Sequence, residues 1–300
     1  MPCCIGGNKL RILITGVGGN VGRSLADYLS QRHSVVGIYR THKPMNIAYK
    51  IVRAELSESL EAVEGDYDVI IHCAAGLQGN TDSLIRDNID ATRKMVRFAE
   101  KQNVSGFIYM STVSVYGETD GVVSEHSSIV NPEIYGMTKY LAENIVLESS
   151  IPQKVILELP RMLGPFVDLI NTKGSGFITM TRRLLMNEEV TCFIPEQAYN
   201  NYMHVSDLGL FMEHLLQMEA WKYERVLLGA KDYLPMMQIL EVMKSAMGST
   251  SVLVRGKTDV LPKCSCVSIE RALELGYKPM DSEEVLRQFA SEMVERYRTE

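Results

Sequence analysis

Tyr135 and Lys139 stand four residues apart in Tyr135-Gly136-Met137-Thr138-Lys139. On a helix, that spacing puts both side chains on one face, aimed into one cleft. A free phenol titrates at about 10 and is a poor base at neutral pH. A neighbouring ammonium favours the phenolate and lowers that value. The pair then suits proton exchange with a substrate hydroxyl, although alone it also reads as an ordinary surface couple. A second hydroxyl-bearing stretch is Met110-Ser111-Thr112-Val113-Ser114-Val115-Tyr116-Gly117, at the end of an apolar run. Hydroxyls at the end of a strand can hold a substrate oxygen for Tyr135, or simply cap the next turn.

Thr15-Gly16-Val17-Gly18-Gly19-Asn20-Val21-Gly22 follows the first apolar run and opens a helical stretch. Gly16 allows a tight turn, Gly19 lets backbone approach a pyrophosphate, and Gly22 permits close helix–strand packing. The helix N-terminus, with Asn20 and Val21, then faces the phosphates with free N–H groups. A glycine turn without ligand is the bland alternative, and the strand–turn–helix setting argues against it. A nicotinamide dinucleotide in this loop would add positive charge beside Tyr135, and Lys139 could also hold its ribose. Arg40 lies 18 residues past Gly22, about where an acid would accept the 2′-hydroxyl of NAD. A guanidinium there can grip a 2′-phosphate, so the sequence favours NADP over NAD. A solvated arginine, or one stacked on adenine, is the alternative.

The elements that must position these groups alternate. Apolar runs fall at 10–14, 34–39, 49–52, 68–75, 106–111 and 154–159, with helical stretches at 20–31, 81–102 and 133–149 between them. The runs lack polar alternation, as strands covered on both faces do. That pattern predicts an α/β fold with a doubly wound, Rossmann-type parallel sheet. After Pro160 the elements shorten, punctuated by Gly164-Pro165, Lys173-Gly174-Ser175-Gly176 and Asn200-Asn201, with helices expected at 177–187, 206–219, 235–247 and 282–297. Residues 1–160 are expected to form the dinucleotide-binding domain, completed by later segments. Residues 161–300 are expected mainly in a smaller substrate-binding α/β domain with an interleaved boundary, and the cleft between the two should hold the substrate.

Composition sets outer bounds. The 300 residues are 46% hydrophobic and 23% charged, which excludes a disordered chain. A net charge of −6 argues against nucleic acid as a partner. No apolar run reaches the roughly 18 residues a membrane span needs, and MPCCIGGNKL offers no secretory h-region, so a cytoplasmic protein is expected. The cysteines at 3, 4, 73, 192, 264 and 266 read as free thiols. Cys264-Ser265-Cys266 offers two ligands and no second pair, so no metal is assigned. The 17 methionines suit either core filling or a permissive pocket.

The loop reads G-x-x-G-x-x-G with Gly18 additional, and with Tyr135, Lys139 and Thr112 it resembles the extended short-chain dehydrogenases, in their NAD(P)-dependent epimerase/dehydratase family. The likeness runs nearly the whole chain, through His72-Cys73-Ala74-Ala75, Asn88 with Thr92, Leu163-Gly164-Pro165, His204-Val205-Ser206-Asp207 and Leu275-Gly276-Tyr277-Lys278-Pro279. By that resemblance Tyr135 is the acid/base, Lys139 its partner and Thr112 the assisting hydroxyl. Ala74, Ala75, Gly76, Asn88 and Met110 would belong to the cofactor site. Glu55 and Leu56 would flank the adenine, and Pro160 and Met162 would approach the nicotinamide. Thr112, Ser114, Tyr135 and Arg161 would meet the substrate. A homodimer through the helices at 81–102 and 133–149 is also implied.

The departures narrow the activity. The family's 4,6-dehydratases carry Asp-Glu after the threonine, and Val113-Ser114 stands here, which argues against that reaction. Asn200-Asn201-Tyr202 stands where an arginine often meets a substrate pyrophosphate; Arg182 and Arg183 are candidates to replace it, or a solvated face. Glu158 occupies a strand position where arginine is frequent, and a buried carboxylate there needs a partner. The leading expectation is an NAD(P)-dependent oxidoreductase of a ketone or alcohol, on a nucleotide sugar or related small-molecule carbonyl. An epimerase with retained cofactor is the alternative, and a non-catalytic dinucleotide sensor ranks third because Tyr135, Lys139 and Thr112 are all present.

Overall fold

The computed structural model describes residues 9–170, 176–258 and 265–298. Cys3, Cys4, Cys264 and the Lys173-Gly174-Ser175 turn lie outside the described residues. Seven strands form one parallel sheet: β1 (Arg11–Thr15), β2 (Ser34–Tyr39), β3 (Lys50–Arg53), β4 (Val69–His72), β5 (Gly106–Thr112), β6 (Gln153–Leu159) and β7 (Arg225–Leu227). Their spatial order is β3-β2-β1-β4-β5-β6-β7. The order reverses between β1 and β4, which makes the crevice beyond their C-terminal ends the place for a ligand.

The apolar runs become strands because both faces are covered. Ile12, Ile14, Ile71, Val155 and Leu157 enter one hydrophobic cluster. Their neighbours Leu13, Ile70 and Ile156 enter the cluster on the other face. Side chains alternate in direction along each strand, and here both directions lead to oil. A third cluster, with Phe177, Leu184, Met236, Met243, Leu286 and Phe289, gathers residues from after 160. Several methionines fill it, consistent with their use as adaptable packing.

Helices among the described residues are α1 (Asn20–Leu29), α2 (Thr81–Leu84), α3 (Ala91–Lys101), α4 (Ile134–Leu147), α5 (Gly176–Leu185), α6 (Val205–Gln217), α7 (Met236–Met247), α8 (Glu270–Glu274) and α9 (Ser282–Arg298). None is long and apolar enough to cross a membrane. Two sequence expectations change. The run at 68–75 is strand only to His72, because Cys73 to Ala75 leave the sheet to line the crevice. The single helix expected at 81–102 is interrupted by a π-helical turn, Ile85–Asp90. Such turns insert a residue and redirect side chains, often at functional sites. Here the redirected residues are Asp87 and Asn88.

Candidate active site

The crevice at the switch point is a single cleft of about 950 Å³. Thr15 closes β1, and its hydroxyl organises the entrance. The Ala74 N–H donates to Thr15 Oγ1 at 3.0 Å, and Thr15 Oγ1 lies 2.7 Å from His72 Nδ1. His72 Nε2 lies 3.1 Å from Thr92 Oγ1, whose own hydroxyl donates to Asn88 O at 2.6 Å. Only one assignment satisfies the whole chain of bonds: Nε2 carries the proton and Nδ1 accepts from Thr15. Burial holds His72 at about 3, so the ring stays neutral and the network keeps its direction.

This network pins Ala74 against Gly16. A Cβ on Gly16, whose φ is +75°, would meet Ala74 N at 2.8 Å. A Cβ on Gly22 would meet Gly16 O at 2.4 Å. The turn therefore exists only without side chains at both places, and it brings α1 hard against the end of β1. Gly19 at the N-cap of α1 makes no side-chain capping bond. The amides of the first helical turn are thus left for an anion in the cleft, which fits the pyrophosphate of a dinucleotide. Gly16, Gly19, Asn20, Val21 and Gly22 all line the cleft.

The far end of the same cleft contains Arg40, Glu55 and Leu56, as the sequence implied, and Asp87, which it did not. Arg40 Nη1 lies 2.9 Å from Asp87 Oδ2 and 3.6 Å from Glu55 Oε2. The guanidinium is thus held by two carboxylates and is not simply solvated.

Tyr135 and Lys139 lie in α4 and line the cleft with Met110, Thr112 and Ser114 at the end of β5. Thr112 caps the short 3₁₀ turn Val113–Tyr116: its Oγ1 accepts from Ser114 N at 3.2 Å. Lys139 is 1% exposed. Its ammonium donates to Met110 O at 2.7 Å and sits 4.0 Å above the Tyr109 ring. Burial pulls Lys139 down to about 7, against the pull of Glu143. The Tyr135 phenol is pushed up to about 12 by burial, with a hydrogen bond to Thr112 acting the other way. The sequence expectation of a lowered phenol is therefore not met by the chain alone. Desolvation dominates, and Lys139 directs its charge at a carbonyl and a ring face.

Beneath this wall the buried Glu158 has the partner that the sequence demanded. Tyr116 donates to Glu158 Oε2 at 2.7 Å, and Arg225 Nε lies 3.9 Å from Oε1. Arg225 Nε also donates to Glu143 Oε2 at 3.1 Å, and Ser111 donates to Glu143 Oε1. Two buried carboxyls thus share one guanidinium. Burial, then the Glu143 carboxylate, pushes Glu158 up to about 8. The folded state holds a proton that the unfolded chain, with its ordinary value of 4.5, releases. This contribution to stability is complete below pH 4.5 and is lost as pH rises through about 8. Glu158→Gln, which can still accept from Tyr116, is expected to flatten that alkaline fall in denaturant midpoint. An unchanged slope between pH 5 and pH 9 would contradict the assignment.

The substrate-side wall combines Pro160, Arg161 and Met162 with later residues, among them Phe166, Asp168, Tyr199 and Asn201. Arg161 lies with its guanidinium 5.3 Å from the Phe177 ring centre. Arg296 of α9 also reaches the cleft and donates to Pro165 O at 2.8 Å and Val167 O at 3.2 Å. Asn200 is buried and committed to backbone, donating to Val267 O at 2.9 Å and accepting from Val267 N at 2.7 Å. Arg182 and Arg183 are not on the cleft wall; Arg183 is exposed and donates to Glu189 O. Gly76 and Asn88, expected at the cofactor site, do not line the cleft themselves but lie directly behind Ala75, Leu77 and Asp87, which do. Asn88 accepts from Gly76 N at 2.8 Å and donates to Gly76 O and to Thr138 Oγ1. It braces the wall to α4. Cys266, half of the Cys-x-Cys pair, donates its thiol to Ala198 O.

Asp87 and Arg296 are two of the cleft residues that sequence reasoning missed. Asp87 was one position from the marked Asn88, and only the π turn brings it to Arg40. Arg296 has no local signal: it arrives from the other end of the chain through the packing of α9.

A doubly wound sheet, a glycine turn at its switch point, and a tyrosine–lysine helix on the opposite wall define a dinucleotide-dependent α/β oxidoreductase of the extended short-chain type. A sequence model of the NAD dependent epimerase/dehydratase family matches residues 12–229, and the chain belongs to that family. It is similar to a Bacillus subtilis (strain 168) protein described as an uncharacterized UDP-glucose epimerase, YtcB. Identity is 25% over 275 residues, covering 81% of this chain and 84% of that one. It is also 30% identical over 167 residues to methionine adenosyltransferase 2 subunit beta of Bos taurus, covering 51% of this chain and 47% of that protein. Among solved structures, a UDP-N-acetylglucosamine 4-epimerase from Methanobrevibacter ruminantium M1 aligns with a TM-score of 0.84 at 18% identity, over 97% of this chain and 100% of that one. A Bacillus cereus UDP-glucuronic acid 4-epimerase, solved with UDP-glucuronic acid and NAD, aligns at 0.79 and 22%, over 96% and 100%. At these identities the structures speak for the fold.

Proposed function

We propose that this protein moves hydride between a nicotinamide dinucleotide and a hydroxyl or keto carbon of a nucleotide sugar or related carbonyl. The carrying observation is that Tyr135, Lys139 and Thr112 share one cleft with the glycine turn. When bound, the dinucleotide supplies the hydride acceptor or donor. The Gly16–Gly22 turn holds its phosphates, and Thr112 with Ser114 orients the substrate oxygen. Tyr135 exchanges the proton at that oxygen, and Lys139, which lines the same cleft, would hold the nicotinamide ribose. Arg40 is the group able to meet a 2′-phosphate, on which the NADP expectation from sequence rests, and its Nη1 is engaged by Asp87 and Glu55. Residues 161–300 close the substrate side, and the division near 160 with an interleaved boundary is part of the proposal. So is a homodimer through the helical segment at 81–102 and α4, supported by the exposed Ile134, Met137 and Leu141.

Epimerisation with retained cofactor is the second reading. The relative described as a UDP-glucose epimerase, similar over 81% of the chain, favours it. Asn200 weighs against a pyrophosphate clamp at that place, whereas Arg161 and Arg296 supply cations on the same wall. The deciding assay follows the absorbance of reduced nicotinamide with a UDP-keto-sugar, beside isomerisation of UDP-glucose with no added cofactor. Net oxidation of the added cofactor is expected from the first reading. Isomerisation by protein that already carries tightly held dinucleotide would put the second reading first. Dinucleotide binding with neither reaction across a panel of UDP- and dTDP-sugars would overturn both.

A further inference from the structure

Arg40 alone would argue for a phosphorylated ribose, but the structure surrounds it. Its guanidinium is 48% exposed and points along the cleft wall to Asp87, 2.9 Å away, and Glu55, 3.6 Å away. Asp87 is only 10% exposed, and its second oxygen is held by Arg86 Nε at 2.8 Å. Glu55 is fixed from behind, accepting from Ser57 Oγ at 3.0 Å. Asp87 has no freedom to retreat, because Gly76 packs on it so closely that a Cβ there would meet Asp87 Cβ at 2.9 Å. The π turn Ile85–Asp90 delivers it to this place. The corner therefore contains two guanidinium groups and two carboxylates, with both acids meeting Arg40 at Nη1.

A 2′-hydroxyl suits this corner as built: it can donate to a carboxylate and accept from Arg40 without breaking a pair. A 2′-phosphate must compete with Asp87 for Arg40 and stand beside two carboxylates, which repel it. On this basis we infer that Asp87 is the residue that sets cofactor selectivity, by holding the Arg40 guanidinium and so suppressing its preference for a 2′-phosphate. The inference rests on the dinucleotide reading of the cleft and refines it: Arg40 is the phosphate-binding group, and Asp87 determines how far that capacity is expressed.

The test is equilibrium binding of NADPH and NADH to the full-length protein, wild type against Asp87→Asn, Arg40→Ala and the double variant. Asp87→Asn is expected to tighten NADPH about tenfold and to leave NADH within about threefold. Adding Arg40→Ala should cancel that gain, which separates release of Arg40 from a general change in charge. An unchanged NADPH-to-NADH ratio in Asp87→Asn overturns the inference. So does equal weakening of both cofactors, which would make Asp87 a brace for the wall only. If neither cofactor binds the wild type while its thermal transition is intact, the dinucleotide reading itself fails. The Arg40→Ala protein gives a second reading of the same claim: NADPH should weaken there by less than about threefold, because Asp87 already restrains the group. A loss far larger than that would mean Arg40 serves the phosphate freely in the wild type.

Discussion

Tyr135→Phe is expected to lower kcat by about 10²–10⁴-fold while dinucleotide affinity stays within about threefold. The substitution removes one oxygen from the cleft wall and leaves the ring, so packing in α4 is conserved. The lost group is the one placed to exchange a proton with the substrate. The phenol is pushed up to about 12 by burial, and only the hydrogen bond to Thr112 opposes this within the chain. Lys139 is committed to Met110 O and the Tyr109 face. Proton exchange by Tyr135 at neutral pH thus depends on charge brought in with the cofactor. The check is steady-state turnover beside cofactor titration by protein fluorescence. A kcat that survives the change would remove Tyr135 from the chemistry. Equal losses in turnover and cofactor binding would assign it a role in shaping the cleft.

Gly22→Ala should weaken dinucleotide binding by about 10²-fold and lower thermal stability together. The added Cβ would lie 2.4 Å from Gly16 O and 2.7 Å from Gly16 C, both backbone atoms that cannot swing aside. Relief requires α1 to move off the end of β1. Overpacking of this kind costs about 1–3 kcal/mol. A displacement of about 1 Å in a positioning element commonly costs two orders of magnitude in function. Gly176→Ala is the matched control, since a Cβ there meets nothing within 4 Å. Titration of NADH and NADPH against both variants, with a melting curve for each, gives the answer. Unweakened binding in Gly22→Ala would show that the phosphates do not sit on this turn.

Much of this site was legible in the sequence because its signals are local. Gly16 to Gly22, Thr112 to Gly117 and Tyr135 to Lys139 each lie within one turn or one strand end, and the sheet brings those ends to one edge. The strand boundaries at 34–39 and 154–159 follow from unbroken apolar runs whose two faces find separate cores. What escaped were features made by long-range geometry. Asp87 reaches Arg40 only because a helix slips into a π turn, and nothing in Ile85-Arg86-Asp87-Asn88 marks that slip. Asn88 reads as a cofactor ligand by resemblance, yet both of its amide N–H groups are taken up by Gly76 O and Thr138 Oγ1 and its oxygen accepts from Gly76 N. Arg296 depends on where the last helix packs. Lys139 reads as the partner of Tyr135, but the carbonyl of Met110 competes for its ammonium. That competition is visible only in three dimensions.

The seventh strand has a consequence for synthesis. β7 (Arg225–Leu227) pairs with β6 through Ile156, Leu157 and Glu158, and it comes from far downstream. A chain emerging from the ribosome can assemble β1 to β6 once residue 159 is out. Until residues 225–227 follow, β6 remains an apolar edge with unpaired amides, the kind of edge that recruits other strands. Glu158 lies in that strand, and its guanidinium partner Arg225 arrives only with β7. Until then the carboxyl groups of Glu158 and Glu143 lack the Arg225 guanidinium that they share in the finished protein. The last strand to join the sheet thus completes an ion network as well as a hydrogen-bond ladder.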